Sequence, residues 1–139
     1  MNTGNQKSPR VVVCIDDEEQ ILKALRRCLR SEDFELRTTT DPDQVMTWVR
    51  EGGVNVVISD YRMQRLTGVE LLKKVLDHNP QIVRVILSGY AEQESVNQAL
   101  AQQVVYNYLL KPWEAEDLKA KIRTYFKFYD TENQRWREL

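Results

Sequence analysis

Four short apolar runs in this chain each end in side chains able to do chemistry. The first, Arg10–Ile15, is followed by Asp16, Asp17 and Glu18, and the run Val54–Ser59 by Asp60. Ile82–Ser88 ends in Ser88 and Gly89, and Val105–Leu110 is followed by Lys111 and Pro112. Carboxylates gathered at one place repel one another unless a cation or a proton shares the site. Oxygen-only ligands favour a hard ion, Mg²⁺ or Mn²⁺, held by one or two carboxylates with phosphate oxygens and waters. A carboxylate beside such an ion is also a nucleophile toward phosphorus, forming an aspartyl phosphate. The hydroxyl and the ammonium would then meet the phosphoryl oxygens and offset their charge. Taken singly, each residue reads as a loop polar group or a cap, and Asp17 or Glu18 would serve simply to start a helix. Taken together in chain order, they point to a site.

The elements that would position these residues alternate. The β-rich runs are Arg10–Ile15, Phe34–Thr39, Val54–Ser59, Ile82–Ser88 and Val105–Leu110. The first, third and fourth show little polar alternation, as strands covered on both faces do. Between them lie segments at helical spacing, marked by Ile21, Leu22, Leu25 and Leu29, then by Val45, Trp48 and Val49. The later ones are marked by Val69, Leu72, Val75 and Leu76, by Val96 and Leu100, and by Leu118, Ile122, Tyr125 and Phe126. Asp41-Pro42 reads as a helix start, and Gly52-Gly53 and Asn79-Pro80 as stops. Five such units predict an α/β fold: a doubly wound, five-stranded parallel sheet of flavodoxin-like order 2-1-3-4-5 with five helices. Function in such sheets sits outside the carboxyl ends of the strands, which is where the chemistry-bearing residues fall.

Composition narrows the class. With 139 residues, the chain fits one domain at about 150 residues per domain, and its 42% apolar content excludes a disordered or collagen-like chain. Lys+Arg of 20 against Asp+Glu of 21 gives a net charge of −1, so no basic field is present to hold nucleic acid or an anionic membrane surface. The longest strongly apolar run, Val11–Ile15, is far short of a membrane span, and the N-terminal MNTGNQKSPR has no apolar signal core. A cytoplasmic protein is expected. Residues 1–9 read as a flexible arm, 10–129 as the domain and 130–139 as a helical extension or linker.

The quoted segments resemble the receiver domain of two-component response regulators over residues 10–129. VVVCIDDEE is similar to that family's first strand with its acidic pair, and VVISDYRM to its third strand with the phosphoacceptor. VRVILSGY resembles the fourth-strand hydroxyl segment, and YLLKPW the fifth strand with its Lys-Pro pair. The resemblance implies that Asp60 is the phosphoacceptor. It also implies that Asp16, Asp17, Asp60 and the backbone carbonyl of Arg62 hold Mg²⁺, and that Ser88 and Lys111 contact the phosphoryl group. Tyr108 would be the aromatic switch that turns inward with Ser88, and Gly68 the glycine opening the third helix. The Lys111-Pro112 bond is expected to be cis. A sensor histidine kinase would be the phosphoryl donor, and a downstream effector domain or partner protein the recipient of the signal.

Three departures stand out. Gln64 replaces a common proline, leaving the loop after Asp60 without the rigidity proline gives. Thr67 replaces a frequent acidic residue. Arg62 and Tyr90, each two residues beyond a site residue, occupy positions that tune acyl-phosphate lifetime in receivers, and two large side chains there would shield the phosphorus from water.

Two rival readings rest on the same residues. An aspartyl-phosphate phosphatase would carry D-x-D after the first strand, whereas this chain has adjacent Asp16-Asp17 and no cap insertion. A pseudo-receiver, an interaction module independent of phosphorylation, is the alternative, but every site position keeps a competent side chain. No P-loop is present, and the lone His78 reads as a helix-end residue. Cys14 reads as core and Cys28 as packing. The aromatics Tyr125, Phe126, Phe128 and Tyr129 diverge too widely to share one helix face, so a partner surface is expected there. Finally, Ile122, Tyr125, Tyr129, Glu132, Trp136 and Leu139 follow three- and four-residue steps. That spacing makes a homodimer through the C-terminal helix an expectation, against a frayed tail. No output domain fits the remaining residues, so the chain reads as a stand-alone receiver or the front of a longer protein.

Overall fold

The computed structural model describes residues 9–138, and for 132–138 the backbone alone. The strands are β1 (Val11–Ile15), β2 (Glu35–Thr39), β3 (Val56–Asp60), β4 (Val83–Ser88) and β5 (Asn107–Leu110). The helices are α1 (Glu19–Leu29), α2 (Pro42–Glu51), α3 (Gly68–His78), α4 (Gln93–Ala101) and α5 (Ala115–Glu138). A 3-10 turn, Tyr90–Glu92, precedes α4 and had no signal in the sequence. The strands pair in parallel in the order 2-1-3-4-5, as expected. They are shorter than the apolar runs. Arg10, Phe34, Val54, Asn55, Ile82, Val105 and Tyr106 flank the ladders, packing or hydrogen bonding without joining them.

Burial explains the sheet. β1, β3 and β4 are buried at every residue, whereas β2 and β5 are partly open edge strands. Alternate residues then face two cores. Val11, Val13, Ile15, Val57 and Ile86 pack under α2, α3 and α4 through Val45, Val49, Leu71, Leu72, Val75, Val96 and Ala99. Val12, Cys14, Val56, Ile58, Val85 and Leu87 pack under α1 and α5 through Leu22, Leu25, Leu29, Leu118, Ile122 and Tyr125. The period-2 strand pattern meeting the helical stripes produces this two-sided layering.

Helix boundaries follow local chemistry. Asp41 caps α2 by accepting the Asp43 N–H, with Pro42 in the first turn, and α2 stops at Gly52, whose φ of 90° needs no Cβ. Thr67 and Glu70 form a reciprocal capping box at the start of α3, which is what a threonine there accomplishes. Glu18 precedes α1 without a side-chain cap, and the Asp17 carboxylate accepts from Gln64 across the site, so neither caps that helix.

The aromatic crowding of the C-terminal third resolves differently from expectation. Tyr125 and Phe126 are buried, and Phe128 and Tyr129 are half-buried against the same core. Tyr106, just ahead of β5, reaches out to cover Phe128 with ring centroids 4.0 Å apart. The edge of the sheet supplies part of the cover that one helix face lacks, leaving Phe128 and Tyr129 half-buried. Among the described residues the one large hydrophobic side chain that stands fully exposed is Tyr90, at 78%. α5 continues unbroken past residue 129 to Glu138, and Arg10 pairs with Asp130 while lying over the Phe126 ring. Ile122 and Tyr125, the first two positions of the expected seam, are spent on the domain's own core. Leu139 and the side chains of Glu132 and Trp136 lie outside the described residues.

Candidate functional site

Strand register sets the site. Ile15 pairs with Ser59, Asp60 with Leu87, and Ser88 with Leu110, so Asp16, Asp60, Ser88 and Lys111 emerge at one edge within a residue of each other. Backbone bonds extend the ladders past the side chains that matter: Tyr61 N–H donates to Leu87 O at 3.0 Å, and Lys111 N–H to Ser88 O at 2.9 Å. Each reactive group is therefore carried on a pinned strand end.

Lys111 Nζ lies 2.7 Å from Asp60 Oδ1 and 3.0 Å from Asp16 Oδ2. Asp16 is fully buried, and its other oxygen accepts the Glu18 N–H at 2.9 Å. One ammonium thus serves two buried carboxylates. Burial pushes the Asp60 carboxyl up; the Lys111 hydrogen bond pulls it down, Asp16's charge pushes it up again, and the net direction is up. Burial pulls Lys111 down, but its bonds to Asp60 and Asp16 outweigh that, and its pKa ends raised. The two partners move in the same direction because burial and the Asp16 charge outweigh what Lys111 gives Asp60, while Lys111 itself is held by two anions.

Ser88 Oγ is buried, at 1% residue exposure, with no hydrogen-bond partner. A buried orphan hydroxyl is uncommon and costly, so it marks a group waiting for an acceptor. Asp17 is exposed beside the loop after β3, where its Oδ2 accepts the Gln64 N–H at 2.7 Å. Arg65 in the same loop pairs with Asp41 and Asp43 of α2. The loop that lacks proline is pinned by these bonds instead. Tyr108 is half-buried against the core beneath α4, and the Lys111–Pro112 bond is cis.

The cleft above these groups measures about 480 Å³. Asp17, Glu18, Asp60, Arg62 and Gln64 line it from the β1 and β3 side, Gly89 and Glu92 from the β4 side, and Lys111 from β5. Its four carboxylates, Asp17, Glu18, Asp60 and Glu92, outnumber the two cations, Arg62 and Lys111, an oxygen-rich balance that fits a hard divalent cation. Among the described residues no three His, Cys, Asp or Glu side chains form a ready-made cage. Mg²⁺ requires none, since it keeps several waters and takes one or two carboxylates. A slightly larger depression of about 520 Å³ lies at the strands' amino ends beside Arg84, Tyr106 and Phe128, and no acidic side chain lines it. Arg84 there spends its guanidinium on the carbonyls of Pro80, Ile82, Gln103 and Val104. It holds the end of α4 and is structural.

The sequence places Asp16, Asp17, Asp60, Arg62, Ser88, Tyr90, Tyr108 and Lys111 at this edge. All lie there, with Tyr90 turned outward and Tyr108 on the flank. Glu92 was missed, because a glutamate in a polar stretch carries no motif.

A five-stranded doubly wound sheet with acids, a hydroxyl and an ammonium along its carboxyl edge defines a flavodoxin-like domain with its site at the switch in strand order. The response regulator receiver domain matches residues 12–123, and the chain belongs to that family of two-component signalling proteins, which is not a family of catalytic enzymes. It is 38% identical over 112 residues to the hydrogenase transcriptional regulatory protein HoxA of Cupriavidus necator, a match covering 81% of this chain and 23% of HoxA. An uncharacterized protein from Neptuniibacter caesariensis superposes with a TM-score of 0.85 at 30% identity, over 90% of this chain and 93% of that one. A structure titled adenylate cyclase from Rhodopirellula baltica superposes at 0.86 with 26% identity, over 94% of this chain and 96% of that one. The chain spans about a quarter of the length of transcriptional regulators such as HoxA. Among the described residues no helix is long and apolar enough to cross a membrane.

Proposed function

We propose that this domain accepts a phosphoryl group on Asp60 from the phosphohistidine of a sensor histidine kinase, in the cytoplasm, and passes the change to an effector domain or partner protein. The observation that carries the reading is the pairing of an ion-paired Asp60 with an orphaned Ser88 hydroxyl on one strand edge. Asp60 Oδ attacks phosphorus, the P–N bond of the phosphohistidine breaks, and the imidazole nitrogen leaves with the electron pair. In hydrolysis, water attacks phosphorus, inorganic phosphate leaves and the carboxylate returns. Asp17, Asp60 and the Arg62 carbonyl would hold Mg²⁺, with Asp16 behind them; the ion would supply positive charge against the phosphoryl oxygens. Lys111 is already oriented by Asp60 and Asp16 and offsets the phosphoryl charge.

The Ser88 hydroxyl gains an acceptor when a phosphoryl oxygen arrives. Its inward movement frees room for Tyr108, and this shifts the population of the β5 face. Arg62 at the cleft wall, and Tyr90 on turning in from its exposed position, would govern the approach of water to the phosphorus. A homodimer through the far end of α5 is part of the proposal, since helix beyond the domain edge needs a partner to be stable. Incubation with Mg²⁺ and beryllofluoride, followed by amide NMR, tests the reading. Shifts at Ser88, Tyr108 and Lys111 that vanish in Asp60→Asn support it, and an unresponsive spectrum of the unsubstituted chain refutes it.

A further inference from the structure

Glu92 closes the cleft from the β4 side. Its Oε1 accepts the Gly89 N–H at 3.2 Å, and its Oε2 stands 3.4 Å from Arg62 Nη2. The Glu92 side chain is 12% exposed, although Tyr90 two residues earlier stands fully in solvent. A carboxylate has thus been folded into a site that already holds Asp16, Asp17 and Asp60 against a single lysine. The Gly89 N–H adjoins the Ser88 hydroxyl, the one buried site oxygen without a partner. A backbone N–H next in the chain to a buried, unpartnered hydroxyl at a strand end is a donor pair suited to an anion. In this structure the anion on one of them is the protein's own.

Resting on the reading of Asp60 as phosphoacceptor, we propose that Glu92 is an internal competitor of the phosphoryl group. Together with Arg62 it forms a latch across the cleft. The latch withholds the Gly89 N–H, adds negative charge where a dianionic group must enter, and keeps Arg62 engaged. Loading Asp60 requires the Glu92 carboxylate to leave, which releases both the N–H and the guanidinium toward the phosphoryl oxygens. Glu92 is a positioning residue that sets how readily the site loads. The competing description is a simple cap, because a glutamate three residues into a helical turn commonly reaches back to the N–H before it. The two differ in charge: glutamine serves as a cap equally well but removes the competing anion.

The test is calorimetric titration of the full chain with beryllofluoride in saturating Mg²⁺, on the unsubstituted protein, Glu92→Gln, Glu92→Ala and Asp60→Asn. Release of a charge-assisted hydrogen bond corresponds to about a tenfold change in affinity. We expect Glu92→Ala to bind about tenfold tighter, with Glu92→Gln intermediate and melting at the unsubstituted temperature. Unchanged or weaker affinity in Glu92→Gln and Glu92→Ala, with normal binding by the unsubstituted chain, reduces Glu92 to a cap and overturns the latch. Should Glu92→Ala fail to fold, Glu92→Gln alone decides. Absence of binding in every protein, the unsubstituted chain included, overturns the phosphoacceptor reading itself.

Discussion

Gly68 at the start of α3 lies directly against the backbone of Asp60. A Cβ at position 68 would stand 2.2 Å from the Asp60 carbonyl oxygen and 2.9 Å from both Ile86 Cδ1 and Ser59 Oγ. The Gly68 N–H meanwhile donates to Tyr61 O at 2.8 Å, so the helix start cannot back away without losing a bond. The glycine is needed here for close approach, not for a positive φ. Gly68→Ala is expected to destabilise the fold by about 1–3 kcal/mol and to displace Asp60. Urea unfolding measures the first effect, and beryllofluoride affinity the second.

Lys111→Met removes the one cation between two buried carboxylates. Stability should fall by about 2 kcal/mol in metal-free buffer, less than for a fully buried pair because Lys111 is partly solvated. Asp60→Asn should do the opposite. Its folded pKa lies above the ordinary value of 3.8, so from 3.8 up to that raised value the folded state binds the proton more tightly than the unfolded chain. Stability from this group therefore falls as pH rises through that window and stays lost at neutral pH. Thermal melts at pH 7 should show Asp60→Asn more stable than the unsubstituted chain, with the gap closing on acidification. In the double variant Asp60→Asn should recover part of the Lys111→Met loss, since the two groups are in contact.

Ser88 offers a separation of folding from function. Its hydroxyl bonds to nothing in this structure, so Ser88→Ala should leave stability unchanged or raise it by up to about 1 kcal/mol. The same substitution should weaken beryllofluoride binding and reduce the NMR shifts at Tyr108. A large loss of thermal stability would show that the hydroxyl has a structural partner.

Much of this was legible in the sequence because periodicity and strand-end chemistry are local. Val12 and Cys14 against Val11, Val13 and Ile15 already announce a strand with two buried faces, and Asp41-Pro42 and Gly52-Gly53 carry their own start and stop geometry. What escaped was set by neighbours distant in the chain. Phe128 is covered by Tyr106 from across the sheet edge, and nothing in the spacing of α5 reveals that. Arg84 sits inside an apolar run because four carbonyls receive its guanidinium, those of Gln103 and Val104 after α4 and of Pro80 and Ile82 before β4. Glu92 enters the site only because a 3-10 turn folds it back to Gly89 and brings it within reach of Arg62, thirty residues away.

α5 gives a prediction about assembly. With Ile122 and Tyr125 buried in the domain, an intermolecular seam has only the residues from Tyr129 onward to use. Within these 139 residues that is a short run for a coiled coil, so a dimer of this chain alone should be weak and concentration-dependent. Sedimentation equilibrium of the full chain, with and without beryllofluoride, should show association that is absent from a chain ending at Tyr129. Monomers under all four conditions would confine α5 to a linker role.

The most direct test of the central claim is intact-mass spectrometry after incubation with Mg²⁺ and acetyl phosphate. The account predicts that the unsubstituted chain gains the mass of one phosphoryl group. The adduct should map to Asp60, be lost on chelation of the metal before addition, and be absent from Asp60→Asn. A phosphoryl adduct that persists on Asp60→Asn, or an unmodified chain under conditions where the metal is bound, would contradict it.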